Sequence, residues 1–315
     1  MPKKTYLDAV NLALTEILAD NPQSFILGED VGDYGGAFGA TKGLLSRFPS
    51  QVLETPISEA AITGLAIGAA LEGMLPILEI QFSDFLTVAM DQIVNQAAKI
   101  CYLSNGQASV PLVIRAAIGS GTGASVQHSQ SYESWFTQVP GLIVIEPSNA
   151  EDVYRALKAA VDNPNPVIIF EPKSLYKQQF SFDSLLPLTI GKSEIKRVGE
   201  DLTIIAIGRM VELALKAAES APCDIEVVDP ITLLPLDEAG ILQSVNKTQR
   251  ALVLTESVAN GIASELVTLV ALNTQANVKM LAGAFTPVPA AENLERQLTP
   301  EIAQIHATIE ELMHG

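Results

Sequence analysis

The chain has 315 residues, long enough for two packed domains, and is 48% hydrophobic, 17% charged and 5% aromatic. So little charge predicts extensive burial of small aliphatic side chains, part of it between subunits. With 36 acidic against 19 basic residues the net charge is −17, which excludes a nucleic-acid partner because no Lys/Arg stripe is available for phosphates.

Two cysteines far apart, Cys101 and Cys223, give neither a disulfide scaffold nor a thiolate metal site. Of the three histidines, His306 and His314 fall in a C-terminal helical pattern, so central imidazole chemistry has only His128. The opening MPKKTYLDAV is too polar for a signal peptide, and no charge-free apolar run reaches the roughly 20 residues that span a bilayer. A soluble, cytoplasmic protein without a membrane partner is the expectation.

Thr5 to Ala19 reads as an amphipathic helix with Leu7, Val10, Leu14, Ile17 and Leu18 on one stripe. Phe25 to Gly28 is a short buried strand ending at Glu29, on the usual ligand side of an α/β sheet. Thr41 to Phe48 reads as a helix and Val52-Leu53 as a strand. Pro56 then favours an extended approach, Ser58 is a candidate N-cap, and Glu59 opens a helix. From Ala60 to Leu71 that helix has no charge, Thr63 is its only polar side chain, and Gly64 and Gly68 punctuate it. Lacking a polar face, it belongs in a domain interior or against a partner. Glu59 either satisfies first-turn amides with its side chain exposed or waits for a ligand group in a dry cavity.

Pro76 to Phe82 reads as a strand covered on both faces, followed by Ser83, Asp84 and Phe85. Thr87 to Leu103 reads as one helix with an amide-rich side, and Val110 to Arg115 as the next strand. A glycine and hydroxyl loop, Gly119 to His128, follows. Gly141 to Pro147 is a strand, Asn149 to Val161 a helix and Val167 to Phe170 a strand. Alternation of this kind predicts an α/β domain with a mainly parallel sheet over residues 1–180. Residues 181–200 read as a linker. A second domain of repeated βα units covers 201–315 and carries only Glu256 as a strand-end acid of note, so dimerisation or partner docking is its default role.

Glu29, Glu59, Phe85 and His128 thus gather at strand ends of the first domain. No metal-ligand spacing and no G-x-S-x-G elbow accompany them. A carboxylate in a nonpolar pocket with a histidine nearby suits proton transfer to a bound heterocycle.

At these residues the sequence resembles the beta subunit of the thiamine-diphosphate-dependent first component of 2-oxo acid dehydrogenases. The likeness covers GED at Gly28, TPISE at Thr55 to Glu59, DFLTVAMDQIVNQAAK at Asp84 to Lys99, QHSQ at Gln127 to Gln130, PGL at Pro140 and NPNPV at Asn163. It implies a pyrimidine-binding domain followed by a transketolase-type C-terminal domain. Glu59 matches the glutamate that hydrogen-bonds N1′ of the cofactor's aminopyrimidine and favours its imino tautomer. Phe85 matches the aromatic packed on that ring, and Glu29 an acid supporting the network around Glu59. His128 matches the histidine reaching toward substrate and lipoyl group. Leu112, Ala160, Val161 and Asn165 are similar to positions where some relatives hold potassium, mostly through backbone oxygens.

Full-length thiamine enzymes carry a G-D-G motif and a later asparagine for magnesium; this chain has Gly32-Asp33-Tyr34. The resemblance therefore implies half an active site, completed by an alpha subunit that brings the diphosphate and magnesium contacts in an α2β2 heterotetramer. It also implies docking of lipoyl and peripheral subunit-binding domains. Pyruvate is the first substrate expected, then acetoin, then branched-chain 2-oxo acids. A non-catalytic scaffold of the same fold and a stand-alone transketolase-like enzyme are the competing readings.

Overall fold

The computed structural model describes residues 3–183 and 186–314. A short strand, β1 (Lys3–Thr5), leads into α1 (Tyr6–Asp20), whose start is closed by a reciprocal box between Thr5 and Asp8. Next come β2 (Ser24–Gly28), α2 (Leu44–Arg47), β3 (Val52–Glu54), α3 (Glu59–Leu71) and β4 (Leu75–Ile80). The helix expected over 41–48 is cut to α2 because Gly43, at φ 79°, stands outside the helical region.

The stretch expected as one helix over 87–103 is broken into pieces. A 3-10 turn at Ser83–Thr87 is followed by a π-helix at Gln92–Ala97 and by α4 (Ile100–Leu103). The wider turn keeps Ile93 and Ala97 buried. Asp91, Asn95 and Lys99 form an exposed hydrogen-bonded ladder, with contacts of 2.8 and 3.1 Å. The amide-rich side thus lies at the surface of this chain.

β5 (Val113–Ile118), α5 (Glu133–Phe136), β6 (Ile143–Ile145), α6 (Ala150–Val161), β7 (Val167–Pro172) and β8 (Gln179–Ser181) complete the first half. Within the expected linker 181–200, β9 (Glu194–Arg197) is a strand of the second sheet, antiparallel to the strand Ile225–Asp229. The second half continues with β10 (Leu202–Ala206), α7 (Met210–Ser220), β11 (Ile225–Asp229), β12 (Thr232–Leu234), α8 (Glu238–Thr248) and β13 (Arg250–Val258). It ends with α9 (Ile262–Asn273), β14 (Asn277–Gly283), α10 (Glu292–Glu295) and α11 (Ile302–His314).

Two α/β domains result, of the kind expected. The first sheet has the order β12-β6-β7-β5-β4-β2-β3 and the second β14-β13-β10-β11-β9. All pairs in the first are parallel except β12 with β6, so a strand from the second half closes its edge. Alternate residues of the buried strands serve opposite faces. Leu27, Leu78 and Ile114 join α3 in one cluster, while Ile26, Ile77 and Val113 join α1 and α6 in another. The α3-side cluster runs on into Ile205, Val228 and Ile262 of the second domain, so one apolar core crosses the domain boundary.

Across the middle strands, Arg115 on β5 reaches Glu79 on β4 at 2.6 Å and Glu171 on β7 at 2.7 and 2.9 Å. Tyr176 donates to Glu171 at 2.9 Å. The guanidinium is 2% exposed; it is tolerated there because carboxylate oxygens engage Nε and both terminal nitrogens.

Candidate active site

Strands β3, β2, β4 and β5 are neighbours and parallel, so the segments leaving their C-terminal ends emerge on one edge of the sheet. Glu29 follows β2, Glu59 follows β3, Phe85 follows β4, and the loop bearing His128 follows β5. Chain order and sheet order together bring four residues spread over a hundred positions to one place.

Glu29 and Glu59 are 7% and 8% exposed. Ser58 stands at the N-cap of α3 but makes no side-chain cap bond, and its backbone amide faces Glu29 and favours the charged form of that carboxyl. Burial pushes the Glu29 carboxyl above the usual carboxylate range, and the charge of Glu59 adds to the shift. Oε1 of Glu29 and the Thr55 hydroxyl are buried without a hydrogen-bond partner. Unmet polar atoms at a helix mouth fit a ligand that brings nitrogen donors or acceptors. Gly28 keeps the turn into Glu29 possible, since a Cβ there would stand 2.6 Å from the Glu79 carbonyl oxygen.

Phe85 and His128 meet edge to face, with ring centroids 5.4 Å apart and planes at 87°. Phe82 touches both, at 6.1 Å from Phe85 and 4.6 Å from His128, and Phe38 lies 5.4 Å behind Phe82. Phe85 packs on the apolar cluster that includes Ile62 and Ala66 of α3, beyond Glu59. Phe85 and His128 are thus in ring contact, while Glu29 and Glu59 are linked by the action of one charge on the other.

Sequence reasoning did not single out Phe38, Phe82, Asp84, Lys173, Arg209 or Glu295. Asp84, 9% exposed, faces the Gln130 amide, and burial raises its pKa. Lys173, at the end of β7, is 4% exposed with its Nζ unpartnered, and burial lowers it to about 8. Glu256, noted earlier as a lone strand-end acid, pairs with Arg209 and accepts the Ser120 amide at 2.5 Å. The nearest signal in the sequence was the run of glycines from Gly119, which marks close backbone approach. A Cβ at Gly119 would lie 2.5 Å from Oε1 of Glu256.

A cavity of about 350 Å³ opens between the domains, lined by Ser120, Tyr132, Trp135, Glu256, Phe285 and Leu298 among others. It borders the His128 loop but is not lined by Glu59. Leu112, Ala160 and Asn165 lie around one turn, where the Leu112 carbonyl accepts from Val167 at 2.8 Å and the Ala160 carbonyl from Asn163 at 3.2 Å. No unpartnered buried side-chain atom marks that turn among the described residues.

Two α/β domains with a carboxylate pair at a helix mouth and an aromatic–imidazole wall define a protein of the transketolase-like class. The family description "Transketolase, pyrimidine binding domain" matches residues 2–179, and "Transketolase, C-terminal domain" matches 191–305. The chain is 42% identical to pyruvate dehydrogenase E1 component subunit beta-2, mitochondrial, of Oryza sativa subsp. japonica, over 96% of this chain and 84% of that protein. It is 40% identical to the 2-oxoisovalerate dehydrogenase subunit beta of Bacillus subtilis, over 99% of each. A solved structure described as a split-gene transketolase, inactive beta4 tetramer, superposes with a TM-score of 0.82 at 22% identity, covering 98% of each chain, which shows a shared fold. The chain belongs to the family of E1 beta subunits of pyruvate and other 2-oxo acid dehydrogenases.

Proposed function

We propose that this chain is the beta half of a thiamine-diphosphate-dependent 2-oxo acid dehydrogenase, acting on pyruvate and transferring the acyl group to a lipoyl domain. The observation that carries the reading is the buried Glu29–Glu59 pair with an unpartnered carboxyl oxygen at the mouth of α3. When bound, the cofactor supplies a nucleophilic thiazolium carbon that takes up the 2-oxo acid carbonyl. Glu59 would hold the aminopyrimidine at N1′, and Phe85 would pack on the ring. Burial and the neighbouring Glu59 charge both raise the Glu29 carboxyl, so it gives up its proton less readily than an exposed carboxyl does. His128 would move a proton at its ring nitrogen toward substrate or dithiolane, held in line by Phe82 and Phe85.

The diphosphate and magnesium would be held by an alpha subunit, since full-length enzymes carry a G-D-G magnesium motif in their diphosphate-binding half and this chain has only Gly32-Asp33-Tyr34. An apolar strip on α3 supports such a partner: Ala61, Gly64, Leu65, Gly68 and Leu71 are exposed, and Ile57 beside them is 79% exposed. An α2β2 assembly would cover it. Potassium at Leu112, Ala160, Val161 and Asn165 is not needed for this reading, and the carbonyl contacts there do not single out a cation.

Pyruvate is placed first because four pyruvate dehydrogenase beta subunits are 41–42% identical to this chain. The acetoin:2,6-dichlorophenolindophenol oxidoreductase subunit beta of Bacillus subtilis, 37% identical over 97% of this chain and 96% of that protein, supports acetoin as second reading. Pockets differing by a methylene or two discriminate by about 1–3 kcal/mol, so a substrate panel decides. With the alpha partner, magnesium and cofactor present, pyruvate should give the highest kcat/KM for acyl transfer to a lipoyl domain. A higher value with 2-oxoisovalerate, or cleavage of acetoin in preference to pyruvate, would overturn the assignment.

A further inference from the structure

The loop that presents His128 has little burial to hold it. Gly121, Thr122, Gly123, Val126 and Gln127 are all exposed, and Gly119, Gly121, Gly123 and Ser125 all have positive φ. A glycine-rich segment of this kind loses more backbone freedom on ordering than most. Something must therefore fix its path if the imidazole is to stay against Phe82 and Phe85.

The closing end is tied within the first domain. The Gly119 amide donates to the Gln130 carbonyl at 3.3 Å, the Ser83 hydroxyl donates to the same oxygen at 2.8 Å, and the Gln130 amide faces Asp84. The opening end is tied by the second domain. One carboxylate, that of Glu295 on the short α10, accepts the Gly121 amide at 2.8 Å through Oε1 and the Gly123 amide at 3.0 Å through Oε2. Glu256 takes the adjacent Ser120 amide. Glu295 is 3% exposed although the residues before it on α10 are exposed, so its side chain alone turns inward. Successive amides converging on an anion form a backbone nest, and hydrogen bonds to a charged acceptor are stronger than those to a neutral one.

We propose that Glu295 is a positioning residue for His128: its carboxylate, delivered from the second domain, sets the path of loop 119–131 and thereby the imidazole. This rests on the function assigned above to His128. It gives the second domain a part in the chemistry beyond docking, and the positive φ of Gly121 and Gly123, the two residues whose amides meet Glu295, accounts for glycine there. Glu59 is not tied to the loop by any described contact, so the two halves of the site should respond separately.

The test uses the full chain, alone and assembled with its alpha partner, cofactor and magnesium, in the variants Glu295→Ala, Glu295→Gln and the exposed control Glu292→Gln. Amide exchange of peptides covering 119–131 should rise about tenfold in Glu295→Ala, less in Glu295→Gln, and not at all in the control. In the assembly, acyl transfer to a lipoyl domain should fall about tenfold while exchange of the cofactor's C2 proton stays within about twofold. Adding Glu295→Ala to His128→Ala should cost nothing further, because the residue acts through the imidazole. Unchanged exchange in the loop overturns the proposal, as does a loss additive with that of His128→Ala or an equal loss of C2 proton exchange. A wild-type assembly with no 2-oxo acid activity would overturn the function reading instead, and the exchange of loop 119–131 would still decide whether Glu295 holds it.

Discussion

Glu29 and Glu59 are each less than a tenth exposed and the charge of one acts on the other. Burial and the neighbour's charge raise Glu29, whereas Glu59 is the carboxylate assigned to the ring nitrogen. Glu29→Gln should therefore cost about tenfold in kcat, well short of the loss at Glu59, as steady-state rates of the assembled enzyme will show. A loss as large as that of Glu59→Gln would mean that Glu29 works as an anion.

A second buried acid makes a pH prediction at the same scale. Glu133, 1% exposed and hydrogen-bonded by Ser257, is pushed by burial from 4.5 to about 7, with Glu256 raising it further. Between those values the folded chain holds a proton that the unfolded chain has released, so this group's contribution to stability falls as pH rises from about 4.5 to about 7 and is flat above. Glu133→Gln removes that slope. Its melting temperature relative to wild type should be higher at about pH 8 than at about pH 5. An equal difference at both pH values would show that Glu133 does not titrate in this window.

At the scale of elements, the Arg115 contacts join three adjacent strands beneath the site. Removing the cation leaves Glu79 and Glu171 buried without it, and burial already raises Glu79 with Arg115 in place. Arg115→Met should destabilise the chain by about 3–5 kcal/mol in urea unfolding. A change under about 1 kcal/mol would mean that water or a rearranged Tyr176 replaces it.

The elements also separate what the sequence made legible from what it did not. The start of α3 was readable because Pro56, Ser58 and the charge-free run after Glu59 are local signals. The strands were readable from continuous apolar runs between helical patterns, with ends shifted by a few residues, as where Val110 to Arg115 became Val113–Ile118. The side-chain cap by Ser58 and the single helix over 87–103 were not found, since each depends on what packs nearby: Glu29 in the first case, an exposed polar ladder with a buried apolar edge in the second. Phe38 and Phe82 look like ordinary core residues in sequence and join the site through the rings they meet. Glu295 was out of reach for a plainer reason: 174 residues separate it from the Gly121 amide it accepts, and no local pattern encodes that contact.

For the whole molecule, one apolar core crosses both domains while the strip Ala61, Gly64, Leu65, Gly68 and Leu71 is left uncovered. The low charge content pointed to burial between subunits, and this strip is where the chain offers it. Leu65→Asp places a charge on a side chain 54% exposed in the single chain, so folding should be unaffected. Co-purification with the alpha partner should be lost, and sedimentation should show the heterotetramer replaced by free beta chains. An intact heterotetramer would place the partner on another surface. Among the described residues no helix is long and apolar enough to cross a membrane.

The most direct measurement is exchange of the C2 proton of thiamine diphosphate, followed by NMR in the assembled enzyme with wild-type chain and with Glu59→Gln. Proton transfer by a placed carboxylate contributes about 10²–10⁴-fold. The exchange rate should fall by at least about a hundredfold in the variant while assembly and cofactor content are retained. Exchange at the wild-type rate would contradict the role given to Glu59 and, with it, the reading of this chain as half of a thiamine-dependent active site.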